Sequence, residues 1–152
     1  DLKNRSGISS AVIAKLEAIQ HGCDEALMLN PNGNVVEGTG ENVSMVKNGR
    51  LFTPPVSAGI LEGITRDCIM TIARDLGVEV AEKDMTRSEL YMADEVFMTG
   101  TAAEISPIRS IDNRLISDGK IGPLTKKLGV AFHKAAMGED PRYAGWSDLV
   151  KV

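Results

Sequence analysis

Residues 34–55 read NVVEGTGENVSMVKNGRLFTPP. Apolar residues come here in short runs, Val35-Val36, Val43 to Val46 and Leu51-Phe52, broken by turns that carry glycine. Runs of that length between turn signals read as strands. Asn48-Gly49 is a dipeptide suited to a two-residue hairpin, whose tight turn needs positive φ. The same grammar stands just upstream in EALMLNPNGNVVEG, residues 25–38, around Asn32-Gly33. Four consecutive strands joined by tight turns are therefore expected between residues 25 and 54.

The flanks have a different period. In SGISSAVIAKLEAIQHG, residues 6–22, Ile8, Val12, Leu16 and Ile19 share one helical face, and Gly22 is placed to end the helix. ITRDCIMTIARDLG, residues 64–77, repeats this through Ile64, Cys68, Ile72 and Leu76 and stops at Gly77. VEVAEKDM then reads as a strand and SELYMA as a single helical turn. DEVFMTG and EISPIRSID are strands on either side of Thr101-Ala102-Ala103, and IDNRLIS is a further hairpin. GPLTKKLGVAFHKAAMG, residues 122–138, is a last helix with Pro123 in its first turn; the tail from Glu139, with Trp146, reads as irregular. This order predicts an α+β (mixed α/β) domain around a largely antiparallel sheet with packed helices. A regularly alternating fold with a parallel sheet fits less well, because hairpins dominate.

Composition bounds the rest. With 152 residues, 43% hydrophobic and 25% charged, the chain suits one globular domain with one main core. The net charge of −4 is scattered, and no basic cluster offers a nucleic-acid footprint. No apolar stretch approaches the roughly 20 residues of a membrane helix. The chain opens at Asp1 rather than Met, so the lack of a secretory segment carries little weight. Cys23 and Cys68 match no metal or redox spacing and read as buried thiols in a reducing compartment. His21 and His133, on predicted helices without ligand-spaced partners, read as structural or surface residues, so no metal is expected. No base pairs with Ser6, Ser9 or Ser10 to suggest a hydrolase.

Three turns could carry chemistry: EGTGEN at 37–42, GIT at 63–65 and TGTAAE at 99–104. Gly63 leads into a helix whose first N–H groups and dipole suit a phosphate, and Thr65 adds a hydroxyl. The commoner role for Thr65 is an N-cap. Gly100 to Ala103 would let a ligand approach the backbone, or would equally make a tight turn against the core. Glu37 at a strand end and Lys3 ahead of a helix are, by local pattern, solvated charges. Taken alone, these residues lead to an α+β domain with a candidate phosphate site on one rim of a sheet.

Together and in this order, GNVVEGTGENVSMVKNGRLFTPP, ILEGITRDCIMTIARDLGVEV and LYMADEVFMTGTAAEISPIRSID resemble the large domain of fold-type IV (class IV) pyridoxal-phosphate (PLP) aminotransferases. GPLTKKL and the Trp146 tail extend the likeness to nearly the whole chain. The resemblance implies the pseudo-barrel large domain of the D-amino-acid aminotransferase-like fold, with pyridoxal 5'-phosphate as cofactor. It also implies roles for six residues. Lys3 matches the lysine that holds the cofactor covalently, and Glu37 the carboxylate paired with the pyridine nitrogen. Ile64 (backbone), Thr65 and Thr101 match phosphate contacts. Thr101 and Ala102 form the turn that faces the substrate carboxylate. A nucleophilic lysine needs a neutral amine, which burial beside a cofactor favours. A carboxylate on the ring nitrogen keeps it protonated and electron-accepting.

Within the family, TGTAAEI and EGTGEN look like the L-branched-chain group, which transfers an amino group to 2-oxoglutarate. DLKNRSGISS departs from it: Ile8 stands where many branched-chain enzymes carry tyrosine, five residues after the lysine. That opening looks instead like D-amino-acid aminotransferases and aminodeoxychorismate lyases, which are the alternatives, together with a truncated non-catalytic domain. Family members have a small N-terminal domain before the lysine. Residues 1–152 are accordingly expected to form the cofactor-binding large domain alone, with little activity in isolation and an apolar surface where the small domain would sit. An amino acid and a 2-oxo acid are the expected partners, with a homodimer in the cytoplasm as the expected setting.

Overall fold

The structure, a computed structural model, describes residues 5–146, with side chains from Ser10 onward. Helix α1 (Arg5–Gln20) is followed by four strands, β1 (Met28–Leu29), β2 (Val35–Glu37), β3 (Asn42–Lys47) and β4 (Arg50–Thr53). A 3-10 turn (Val56–Ala58) precedes α2 (Ile64–Asp75), β5 (Val80–Glu82) and α3 (Arg87–Tyr91). Strands β6 (Glu95–Gly100), β7 (Glu104–Pro107), β8 (Ser110–Ile111) and β9 (Arg114–Leu115) then lead to α4 (Pro123–Ala136) and a 3-10 segment, Pro141–Trp146.

The hairpins form where the turn dipeptides require them. Asn48 and Gly49 both take positive φ (51° and 73°), and Lys47 pairs with Arg50 across them. Asp112 and Asn113 (50° and 60°) do the same for β8 and β9. The first hairpin differs from expectation. Its turn spans Asn30 to Asn34, because the Asn30 Oδ1 accepts from the Asn32 and Asn34 N–H groups at 3.1 Å each, and β1 keeps only two residues.

Strand β3 is the centre of the sheet. One edge pairs along its length with β6, from Asn42↔Thr99 to Val46↔Glu95. The other edge is divided, Glu37 of β2 pairing with Asn42 and β4 taking Met45 to Lys47. Strand β5 joins β4 in parallel, which needs a crossover connection, here the one containing α2. Past β5 the chain returns to β2 through a Val35↔Met85 bridge (Val35 N–H to Met85 O, 2.8 Å). The path β2-β3-β4-β5 thus closes on itself, in keeping with the largely antiparallel sheet read from the residues and the pseudo-barrel that the family resemblance implies.

Alternation along the strands creates two cores rather than one. Val43 and Met45 of β3, with Val96 of β6, meet Val35, Met85, Leu90 and Ile111. Val46 and Phe97, on the opposite face, pack with Leu51, with Ile69 and Ile72 of α2, and with Leu128 of α4. Arg66, only 5% exposed, ties α2 to the sheet through Thr53 Oγ1 (3.2 Å), the Pro54 carbonyl (2.8 Å) and Glu82. The single turn expected around SELYMA is α3, started by a capping box in which Thr86 and Glu89 bond reciprocally. The tail read as irregular coils into 3-10 turns because Tyr143 is buried, stacks on Trp146 at 4.4 Å and donates to Asp75 at 2.8 Å.

The reading of the two cysteines as buried is corrected. Cys23 is exposed and Cys68 only half-buried, burial pushing the Cys68 thiol above its usual pKa. Cys23 follows the turn that ends α1, beyond the reach of either core. The apolar stripe read on α1 is exposed: Val12, Leu16 and Ile19 are each more than half exposed, with no described residue covering them. Lys15 nonetheless anchors the helix, donating to Glu25 and to the Asp24 carbonyl at 2.6 Å. His21 and His133 are surface residues, as read.

Glu95 is 7% exposed, and its carboxylate accepts from the Leu124 N–H (3.0 Å), the Thr125 N–H (2.7 Å) and the Thr125 hydroxyl (2.6 Å). It supplies the anion at the N-terminus of α4, and Gly122 lacks the Cβ that would fall 2.0 Å from it. Glu95→Ala is expected to lower stability by about 2–3 kcal/mol, the scale for charged hydrogen bonds, read as the shift in a urea unfolding midpoint. Burial and then the bond to Asp75 push the Tyr143 hydroxyl up to about 12 from its usual 10. Its protonated form is favoured by folding, so the contribution holds below pH 10 and is lost between about pH 10 and 12. Tyr143→Phe should remove that component of alkaline destabilisation, seen by comparing unfolding midpoints of the two proteins across this range.

Candidate functional site

The β3–β6 register brings the three suspect turns to one rim. Asn42, closing EGTGEN, stands opposite Thr99, which opens TGTAAE. The two turns touch: a Cβ on Gly100 would lie 3.2 Å from Glu41 Cγ. On the outer side, Glu25 accepts from the Thr39 hydroxyl, the Ala26 N–H (2.8 Å) and Lys15 (2.6 Å). Burial alone would push the Glu25 carboxyl up, but these bonds outweigh it and hold it below the usual range. Glu41 shifts the other way, raised first by burial and then by the charge of Glu25.

Glu37 is half-buried at the end of β2. Both of its donors reach the same oxygen, Oε2: the Leu61 N–H at 2.8 Å and Asn42 Nδ2 at 3.4 Å. Among the described residues no donor reaches Oε1. Asn42 is 4% exposed and also donates to the Leu61 carbonyl at 2.9 Å. Its Oδ1 lies where a Cβ of Gly63 would be, 2.0 Å from that position, so only glycine fits beside it. Asn42 thereby joins EGTGEN to GIT.

The N-terminus of α2 contrasts with that of α4. Its N-cap is Gly63, without a side-chain capping bond, and its first ladder bond runs from the Asp67 N–H to the Gly63 carbonyl at 3.1 Å. Among the described residues, nothing accepts from the N–H groups of Ile64, Thr65 and Arg66. The simple N-cap reading of Thr65 fails, since Thr65 lies one residue inside the helix, 7% exposed, with its hydroxyl uncommitted. Ile64 is 82% exposed, so it offers the site its backbone rather than its side chain. Among the described residues, the hydroxyl of Thr99, which is 1% exposed, has no hydrogen-bond partner. Unpaired donors and a positive helix end suit an anion.

The structure therefore gathers Glu37, Ile64 and Thr65, and sets Thr101 and Ala102, both exposed, on the same rim. Lys3 lies outside the described residues. Sequence reasoning assigned no role to Asn42, Leu61 or Thr99. Their part depends on cross-strand register, and a polar residue opening a strand was the faint signal available. Cavities of about 400 and 550 Å³ flank α4 instead, the first lined by Ile105 and His133, the second by Pro123 and Arg142. Among the described residues no His, Cys, Asp and Glu group could hold a metal, and no helix is long and apolar enough to cross a membrane.

The model of the family described as amino-transferase class IV matches residues 2–111. The chain belongs to the class IV aminotransferases. A probable branched-chain-amino-acid aminotransferase of Aquifex aeolicus is 50% identical over 138 residues, 90% of this chain and 44% of that protein. The branched-chain-amino-acid aminotransferase of Pseudomonas aeruginosa is 46% identical over 149 residues, 98% of this chain and 48% of its own length. The crystal structure of a branched-chain amino acid aminotransferase from Thermobaculum terrenum, in its PLP form, superposes with a TM-score of 0.91 and 45% identity, covering 95% of this chain and 47% of that one. This class IV aminotransferase chain spans about half the length of the relatives it matches. Gly63→Ala in it is expected to lower stability by about 1–3 kcal/mol, the cost of overpacking, because the new Cβ must displace the Asn42 amide; chemical unfolding checks this.

Proposed function

We propose that residues 1–152 form the cofactor-binding large domain of a PLP-dependent branched-chain amino acid aminotransferase. The observation that carries this reading is the open helix end at Gly63 to Thr65 beside the free oxygen of Glu37. An anion site and an acceptor on one rim fit a ligand with a phosphate at one end and a protonated ring nitrogen at the other. Pyridoxal 5'-phosphate is such a ligand, and when bound it supplies the electron-accepting ring that allows a proton to leave an amino-acid carbon.

In this reading the residues of the chain divide the work. The backbone N–H groups of Ile64 and Thr65, with the hydroxyls of Thr65 and Thr101, hold the phosphate. Glu37 Oε1 accepts from the ring nitrogen and keeps its proton in place. Lys3 binds the cofactor covalently and, once displaced by the substrate amine, moves the proton at the reacting carbon. The turn at Thr101 and Ala102 presents backbone to the substrate carboxylate. The overall exchange is between a branched-chain L-amino acid and 2-oxoglutarate, the first leaving as its 2-oxo acid and the second, having taken up the amino group, as glutamate. The relatives of Aquifex aeolicus and Pseudomonas aeruginosa carry branched-chain names. So do the solved structures from Thermobaculum terrenum, in its PLP form, and from Thermoproteus uzoniensis, with norvaline. These names favour branched-chain substrates over the D-amino-acid aminotransferase and lyase activities that the DLK opening suggested. A homodimer in the cytoplasm completes the proposal.

Added PLP should give the protein a new near-visible absorption band. Borohydride reduction followed by peptide mapping should place a covalent adduct on Lys3, and Lys3→Ala should abolish both. In the complete protein that contains this domain, leucine, isoleucine and valine should convert 2-oxoglutarate to glutamate. Product formation only from D-amino acids or from aminodeoxychorismate would transfer the assignment to the other activities of this family.

A further inference from the structure

We propose that Asn42 is a positioning residue that locks the Glu37 carboxylate and the Leu61 to Gly63 turn into one unit. This rests on the cofactor reading of Glu37 given above and adds a residue to it. Strand β2 is short, and Glu37 meets β3 at a single pair, Glu37↔Asn42, so the ladder does little to orient the carboxylate. Past Pro54, whose carbonyl Arg66 holds, the loop from Pro55 to Gly63 is no better tied by its backbone. Its own backbone bonds are local: Ala58 to Pro55, Gly59 to Val56 and Gly63 to Leu61.

Polar ties from the β2–β3 edge to this loop come from two side chains. Glu37 Oε2 accepts from the Leu61 N–H, and Asn42 Nδ2 donates to the Leu61 carbonyl, so both faces of that residue's backbone are gripped. The same Asn42 amide reaches Glu37 Oε2 at 3.4 Å, which turns the other oxygen away from the protein donors. Its Oδ1 fills the space that Gly63 leaves at the start of α2. One buried amide therefore sets the spacing between the acceptor at Glu37 and the free N–H groups at Ile64 and Thr65. A carboxylate with three donors from its own strand would not need such a residue; Glu37 has none.

The test compares Asn42→Ala, Asn42→Asp, Glu37→Gln and the Glu37→Gln/Asn42→Ala double variant. Deuterium exchange at the Leu61 amide is read in the protein without PLP. Turnover constants and the pH midpoint of the cofactor absorbance are read in the PLP-loaded complete protein that contains this domain. Asn42→Ala should speed Leu61 exchange about tenfold and lower kcat about tenfold with KM changed less than about threefold, the scale of a lost positioning bond. It should also shift the pH midpoint, and it should add little once Glu37 is already Gln. If Asn42→Ala fails to fold, Asn42→Asp, which keeps the shape but loses the donors, carries the same readouts. Wild-type Leu61 exchange and pH midpoint in the Asn42 variants, with Glu37→Gln changing the midpoint and turnover, would overturn the role of Asn42 alone. A Glu37→Gln protein with unchanged spectrum and turnover would instead overturn the reading of Glu37 on which it rests.

Discussion

The hydrogen-bonded ladder between β3 and β6 determines, through its register, which residues share a face and which share an end. Pairing Asn42 with Thr99 and Val46 with Glu95 fixes every pair between them, because side chains alternate along a strand. Ser44 and Phe97 follow toward α2 and α4, while Val43, Met45 and Val96 turn to the other core. A slip of one residue would invert both faces at once. It would also carry Glu95 away from α4 and Asn42 away from Gly63, so the stability of one helix and the shape of the site share one cause.

That arrangement puts a polar side chain of the ladder at the N-terminus of each of two helices, with different results. At α4 the protein supplies its own anion, Glu95, and the helix end is satisfied internally. At α2 the corresponding ladder end offers Asn42 and Thr99, which are neutral, and the first N–H groups stay open. An end left open in this way costs stability in the free protein and favours a bound anion by the same interaction. The helix itself does not depend on that ligand, since Arg66 clamps its first turn to Thr53, Pro54 and Glu82. Rigid support beneath and unsatisfied donors above are what a preorganised binding site requires.

Much of the architecture was legible because it is written in local chemistry. The Asn48-Gly49 turn, the presence of α2 and α4, and the prevalence of hairpins all survive in three dimensions, although α2 buries Ile69 and Ile72 and leaves Ile64 of the expected stripe exposed. The membership of the chain in the class IV aminotransferases was legible from the joint order of EGTGEN, GIT and TGTAAE, weak though each is alone. Other features were not. Thr65 looked like a helix cap because Thr commonly is one, yet the helix begins one residue earlier, at Ile64, with Gly63 as its cap. Glu95 and Asn42 act on residues about 30 and 19 positions away, distances at which spacing carries no signal.

The exposed stripe of α1 shows the limit most clearly. Val12, Leu16 and Ile19 announce an amphipathic helix, and periodicity alone says that such a face is to be covered without saying by what. The amino-acid order thus specified the elements, their turns and the motifs of the site, since propensity and turn chemistry act over a few residues. Which atoms of those motifs face one another was settled only by the tertiary structure. Strand register and the closing of β2 through β5 act between distant residues, and only they place the open oxygen of Glu37 near the free end of α2.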